Sequence, residues 1–392
     1  MSGAAAFAGV SRTVGARMRP EHGAGKGKRL LFVDDKVPHF DVAAGARTSF
    51  MYLQLLVELG FDVTFLGADF RRVEPYSGAL RALGVKSLDG YFYWRFWRLW
   101  LLANLRRYDY VFCNRPAPTQ LLIGTLKRFG SATILYQCHD LHYLRWQRSY
   151  AYDRQPESLR KAQAFEKVER HIFEIADILL TFSEFEKQIL TEDYPRKRVE
   201  VVPLFFYREF PRPRNDFYDC KGILFVGGFS HTPNVDAVEW FVREIFPGVA
   251  ARIPDVVFYV VGSNPPPQIQ AMECERVRIL GGIDDRQLRK LYDGVRLVIV
   301  PLRFGAGVKG KVIEALHRGV PLVSTSIGLE GIPEIGTFLA GVDSAHDFGD
   351  RVVKLYADPA ALLNLSASMN EYAKNHLSEE TTKAQIRTLL KI

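Results

Sequence analysis

The stretch VIVPLRFGAGVKGKVIEALHRGVPLVSTS, Val298–Ser326, decides the fold. It reads as a strand, a loop bearing Gly305, Gly307 and Gly310, a short helix carrying Glu314 and ending near Gly319, then a second strand of β-branched residues. Lys309 and Lys311 fall where the helix begins. The positive end of the helix dipole disfavours a cation there by roughly 0.3–1 kcal/mol each. Two lysines held against that field point to a bound anion. Backbone N–H groups at a helix start, glycines that admit close approach and lysines that neutralise charge together make a diphosphate cradle. The plainer alternative is a surface turn with solvated lysines.

The same alternation extends outward in both directions. Strands are expected at RLLFVDD from Arg29, at FDVTFLGA, YDYVFCN, SATILYQC, ADILLTFS and VEVVP, with helices over 49–59, 119–129 and 156–176 and from Glu184. After a proline-rich segment the pattern restarts with GILFVGGFS, a helix over 235–246, VVFYVVG, VRILGG, a helix over 285–293 and RLVIVPL. Alternating strand and helix implies parallel, doubly wound α/β sheets. The expected organisation is a disordered tail over 1–28, an N-terminal domain over 29–205, a linker over 206–219, a C-terminal domain over 220–370, and a C-terminal helix over 371–392 that can pack back on the first domain. The tail lacks acids before Glu21, and Met18 offers an alternative start.

At 392 residues the chain exceeds the size of a single core, and 47% hydrophobic with 24% charged residues excludes both disorder and a fibre. No run approaches a membrane span and residues 4–10 make no convincing signal core, so a cytoplasmic location is expected. The cysteines Cys113, Cys138, Cys220 and Cys274 are scattered, without a zinc or disulfide pattern. Residues 1–215 hold 33 Lys+Arg against 23 Asp+Glu, the remainder 19 against 21, so the basic character lies in the first half. Nucleic acid is not an expected partner, since no reading motif accompanies that charge.

The stretch PLRFGAGVKGKVIEALHRGVPLVSTSIGLEGI, with VDDKVPHFDVAAGARTSFMYLQLLVELGFDVTFL, YQCHDLHYLR and ADILLTFSEFEKQIL in that order along the chain, resembles the retaining glycosyltransferases of family 4, of the type that builds bacterial surface polysaccharides. The resemblance covers roughly residues 29–375. It implies the GT-B fold, two Rossmann-like domains facing a central cleft. It also implies a donor site in which Glu314 holds the ribose hydroxyls of a nucleoside-diphosphate sugar, a role suited to a carboxylate facing a cis-diol. The loop residues Gly305, Ala306, Gly307 and Val308 line that site.

Departures from the family pattern are informative. Many relatives carry a glutamate where this chain has Ala306, and an arginine and lysine where FVGGFSHTPN has Gly228 and Pro233. Lys309 is therefore expected to take over the leaving-group charge, with Lys311 and Arg303 as candidate helpers and Asn234 and His231 as pocket residues. In relatives a histidine near YQCHDLHYLR meets the donor sugar. His142 is the first candidate and His139 the second, with Asp140 between them. Gly45 is expected to admit the sugar or acceptor closely, and Arg47 to meet an anionic acceptor group or merely solvent.

The implied chemistry is metal-free transfer of a sugar to an acceptor hydroxyl, with no cofactor. No Asp-x-Asp pair is present, and Asp34–Asp35 and Asp284–Asp285 read as a strand end and a helix cap. The expected partners are the nucleotide-sugar and a glycan or lipid-linked acceptor. YFYWRFWRLWLLANLRRYDY, Tyr91–Tyr110, admits two readings: an amphipathic helix in peripheral contact with the inner membrane, or a buried helix with snorkelling arginines. Two other functions stay open, a sugar-nucleotide 2-epimerase of the same fold and a degenerate sugar-nucleotide-binding protein.

Overall fold

The computed structural model describes residues 27–392, so the tail expected over 1–28 lies outside the described residues apart from Gly27 and Lys28. The chain forms two compact units: one comprises the residues up to Leu204 together with Lys383–Ile392, the other Phe205–Thr382.

The first unit is built on a seven-stranded parallel sheet: β1 (Arg29–Asp34), β2 (Asp62–Gly67), β3 (Lys86–Ser87), β4 (Tyr110–Asn114), β5 (Thr133–Cys138), β6 (Ile178–Thr181) and β7 (Arg198–Val201), in the order β3-β2-β1-β4-β5-β6-β7. Its helices are α1 (Ala44–Glu58), α2 (Tyr76–Ala82), α3 (Tyr91–Asn104), α4 (Pro116–Phe129), α5 (His142–Asp153), α6 (Pro156–Ile175) and α7 (Glu184–Asp193). Leu30, Leu31, Phe32 and Val33 are all fully buried, as an unalternating apolar run in a strand covered on both faces requires. The strand order reverses between β1 and β4. Those strands end at Asp34 and Asn114, the place where doubly wound sheets put their ligands.

The second unit holds β8 (Ile223–Val226), β9 (Phe258–Val261), β10 (Val277–Gly281), β11 (Leu297–Val300) and β12 (Leu322–Ser324), parallel in the order β10-β9-β8-β11-β12. Its principal helices are α8 (Thr232–Trp240), α9 (Phe246–Arg252), α10 (Asp285–Gly294), α11 (Gly310–Arg318), α12 (Ala345–Ala357) and α13 (Pro359–His376); α14 (Glu379–Leu390) closes the chain. Order reverses between β8 and β11, so the loops opening at Gly227 and after Val300 lie at the switch point.

Three expectations need correction. Between β5 and the helix expected over 156–176, where no element was expected, the chain forms the helix α5, with His142 as its first residue. The helix expected over 235–246 passes through a π turn at Phe241–Ile245. The single C-terminal helix expected over 371–392 is broken: α13 ends at His376, with Leu377 as its cap, and Ser378 starts a new helix by accepting the Thr381 N–H at 3.1 Å. The segment expected as a linker is packed rather than loose. Tyr207 exchanges backbone bonds with Leu377 and Glu379, and Phe217 is buried.

Candidate functional site

In the second unit β11 leads into the glycine loop, where Gly305 and Gly307 have φ of 138° and 71°, angles that glycine alone adopts at little cost. Gly319, at φ 60°, ends α11 in the left-handed cap. No side chain caps the start of α11, and both lysines converge on that turn. The Lys309 ammonium bonds the Gly307 carbonyl oxygen. Lys311 turns inward: it donates to Asn234 Oδ1 at 2.6 Å and lies 4.1 Å from the centre of the Phe225 ring. Burial of that ammonium, and then the nearby Lys309 charge, push its pKa down to about 7.

Glu314 sits one turn further along α11. One carboxylate oxygen accepts from Arg318 Nε at 2.9 Å, the other from the Tyr207 hydroxyl at 3.0 Å. Tyr207 is itself fixed by stacking on His317, ring centres 3.5 Å apart. A carboxylate so oriented keeps lone pairs for a diol while its rotamer is held. Arg303 is engaged by Asp236 at 2.5 and 3.0 Å, so its charge is already paired. Asn234 ties the loop after β8 to this turn by donating to the Gly228 carbonyl at 2.7 Å. His231 is exposed at the start of α8, whose cap it does not bond through its side chain. Ala306 and Val308 are half-buried in the loop.

The first unit gathers a second cluster at its switch point. Asp34, buried at the end of β1, accepts from Ser49 Oγ at 2.6 Å and from Arg115 Nη1 at 2.8 Å; burial pushes its carboxyl up to about 7. A side chain at Gly45 would begin 3.1 Å from Arg115 Nη2 and 3.3 Å from His139 Nδ1, so glycine lets α1 start against both. His139 Nε2 lies 3.3 Å from Asn114 Oδ1. Burial, and then the Arg115 charge, hold this imidazole well below its ordinary pKa and hence neutral. Burial also opposes the charged form of His142, but the Asp140 and Glu169 carboxylates, at 3.3 and 3.1 Å, outweigh it and raise its pKa. Asp140 is in turn paired with Arg145 at 2.8 Å. Arg47 is half-buried on the first turn of α1.

The structure thus brings Lys309, Lys311, Glu314, Asn234 and the glycine loop together in one unit, and Gly45, His139, Asp140 and His142 around one sheet end in the other. Sequence reading missed Asn114 as the hydrogen-bond partner of His139, the Asp34–Arg115 ion pair, Glu169 as the anchor of His142, and Gly227. A side chain at Gly227 would begin 2.7 Å from Lys311 Nζ and 2.8 Å from Asn234, whereas one at Gly228 meets nothing nearer than 3.4 Å. Arg115, at φ 62° directly after a strand, is a strained position that only coordinates reveal. Among the described residues no three His, Cys, Asp or Glu side chains are grouped to hold a metal ion.

A family model described as Glycosyltransferase Family 4 matches residues 45–206, and one described as Glycosyl transferases group 1 matches residues 220–358. The chain belongs to the family 4, group 1 glycosyltransferases. Its two parallel-sheet units are those of the GT-B fold. Sucrose-phosphate synthase from Thermosynechococcus elongatus superimposes with a TM-score of 0.69 at 18% identity, over 93% of this chain and 98% of that one. Anabaena HepE, solved in complex with UDP and glucose, gives 0.64 at 14% identity over 93% and 99%. A glycosyltransferase from Rickettsia africae gives 0.66 at 12% over 94% and 98%. These likenesses show the fold. A Klebsiella pneumoniae protein named as an uncharacterized 44.6 kDa protein in the cps region is 29% identical over 140 residues, and the match spans about a third of that relative, 34% of each chain.

Proposed function

We propose that the protein moves a sugar from a nucleoside-diphosphate sugar to an acceptor hydroxyl, with retention of anomeric configuration and without a metal, in the cytoplasmic assembly of a bacterial surface polysaccharide or lipopolysaccharide. The observation that carries the reading is the convergence of Lys309 and Lys311 on the uncapped start of α11, one turn before Glu314. Positive charge and a helix N-terminus there stabilise a departing diphosphate with no ion, and Glu314 takes the ribose diol. The neutral His139 beside Gly45 is the group suited to hydrogen-bond a sugar hydroxyl, with Asp140 and His142 fixing the strand end behind it. The acceptor is a glycan or a lipid-linked glycan. The relative's cps-region name supports the polysaccharide assignment, and HepE's complex with UDP and glucose supports a nucleotide-sugar donor.

The test is incubation with a panel of nucleotide-sugars and oligosaccharide acceptors, reading free nucleoside diphosphate and the product's anomeric proton coupling. Transfer with retention and loss of turnover in Glu314→Ala is expected. An epimerised sugar-nucleotide with no diphosphate release would replace transfer by epimerisation. Tight nucleotide binding with no turnover on any acceptor would mark a degenerate site.

A further inference from the structure

For helix α3 the sequence left a choice between a buried helix and an interfacial one. Its inward side is clear: Leu101 is buried, and Tyr93, Trp97 and Trp100 pack partly against the core of the first unit. These four form the covered side of a helix that kinks at Phe96, where φ is −120° and ψ 16°. The opposite stripe is Phe92, Arg95, Leu99 and Leu102, flanked by Tyr91, Trp94 and Arg98. On that side Tyr91 is 73% exposed, Leu99 66%, Phe92 60% and Trp94 57%. A helix covering a soluble protein presents charged and polar residues there; this one presents large apolar side chains interrupted by arginines.

The charge around the stripe has one sign. From Gly90 to Tyr108 the chain contains no Asp or Glu. Among the described residues Arg95, Arg98, Arg106 and Arg107 make no ion pair. Arg95 and Arg98 lie instead over the neighbouring Phe96 and Trp97 rings, at 5.4 and 5.0 Å. The flanking Asp89 is taken by Arg72 at 3.5 Å, and Asp109 accepts the Arg29 N–H at 2.8 Å. Gly130, which ends α4, abuts Leu105 in the short turn after α3, bringing Arg128 and the exposed Phe129 to the same end. A second copy of the chain would set these arginines against their own images across a two-fold axis, an arrangement that repels. An anionic bilayer complements both features, with phosphates for the guanidinium groups and the headgroup boundary for the aromatic rings. No helix among the described residues is long and apolar enough to cross a membrane.

We propose that α3 docks the protein flat on an anionic lipid surface, with Phe92, Trp94 and Leu99 entering the headgroup boundary and Arg95, Arg98, Arg106 and Arg107 meeting lipid phosphates. This surface stands apart from the proposed transfer reaction, and its failure leaves that reading untouched.

The test uses the full chain and sucrose-loaded vesicles of phosphatidylcholine, alone or mixed with phosphatidylglycerol. Sedimentation with the mixed vesicles only, weakened by added salt, is expected. Arg95→Gln with Arg98→Gln lowers partitioning about thirtyfold, about fivefold per charge. Phe92→Ser with Leu99→Ser abolishes it at an unchanged thermal midpoint. In the unaltered protein, brominated lipid should quench the emission of Trp94. No sedimentation with anionic vesicles, an arginine variant that binds as well as the parent, or unquenched tryptophan emission would overturn the proposal. So would a dimer in vesicle-free solution that Leu99→Ser dissociates, which would assign the stripe to a second copy.

Discussion

Lys311 is the residue whose environment says most about the ligand. Its native pKa of about 7 lies below the ordinary 10.5. Between those values the unfolded chain binds the extra proton, so this group's contribution to stability rises with pH from about 7 toward 10.5 and is absent below 7. A diphosphate beside the ammonium reverses that preference, and binding at pH 8 should take up close to one proton. Calorimetric titration in two buffers of different ionisation enthalpy measures it, and no buffer dependence would remove Lys311 from the phosphate site. Lys309, Lys311 and Glu314 were legible because one loop and one helix turn contain them. Gly227 was not, because the nearest atom that excludes a side chain comes from Lys311, far along the chain, with the Asn234 side chain folded back beside it. Gly227→Ala should cost about 1–3 kcal/mol in urea unfolding, while Gly228→Ala, whose added carbon meets only Ser263 Oγ at an ordinary 3.4 Å, changes stability by less than about 0.5 kcal/mol.

Helix α5 shows why element boundaries escape a linear reading. Its first turn carries no acid and no capping side chain of its own. The cap is supplied from α6, where fully buried Glu169 accepts the His142 and Tyr143 N–H groups at 3.1 and 3.0 Å, and from α7, where Glu186 accepts that of Leu141 at 3.1 Å. Strands β1, β4 and β5, by contrast, are local apolar runs and announce themselves. Glu169→Ala strands two buried donors and releases the His142 ring, at a cost of about 2–4 kcal/mol. Hydrogen exchange should then quicken at residues 142–145 before it does in β5. Uniform exchange along the chain would assign the cap a lesser part. The break at Ser378 is likewise a capping event, legible in the Ser-Glu-Glu-Thr sequence only once the end of α13 is known.

At the scale of the molecule, two parallel α/β units follow from the alternation of strands and helices. The return of the last residues to the first unit, expected of a helix over 371–392, is made by Lys383–Ile392 and rests on bonds across nearly the whole chain. Tyr110 donates its hydroxyl to the Leu390 carbonyl at 2.6 Å, and Ile386, Leu389 and Leu390 are buried. Deleting residues 383–392 should lower the first unit's stability by several kcal/mol, at about 1.5–3 kcal/mol per buried aliphatic side chain. Urea unfolding checks this, and an unshifted midpoint would show that the segment adds nothing. The central claim concerns the nucleotide. It is tested by thermal unfolding of the parent and of Glu314→Ala with UDP, GDP, ADP, TDP and CMP. Stabilisation by about 2.7 kcal/mol at a hundredfold excess over the dissociation constant, given by one diphosphate and lost in the variant, is the result predicted. Indifference of the folded parent to every nucleotide, or equal stabilisation of the variant, would contradict it.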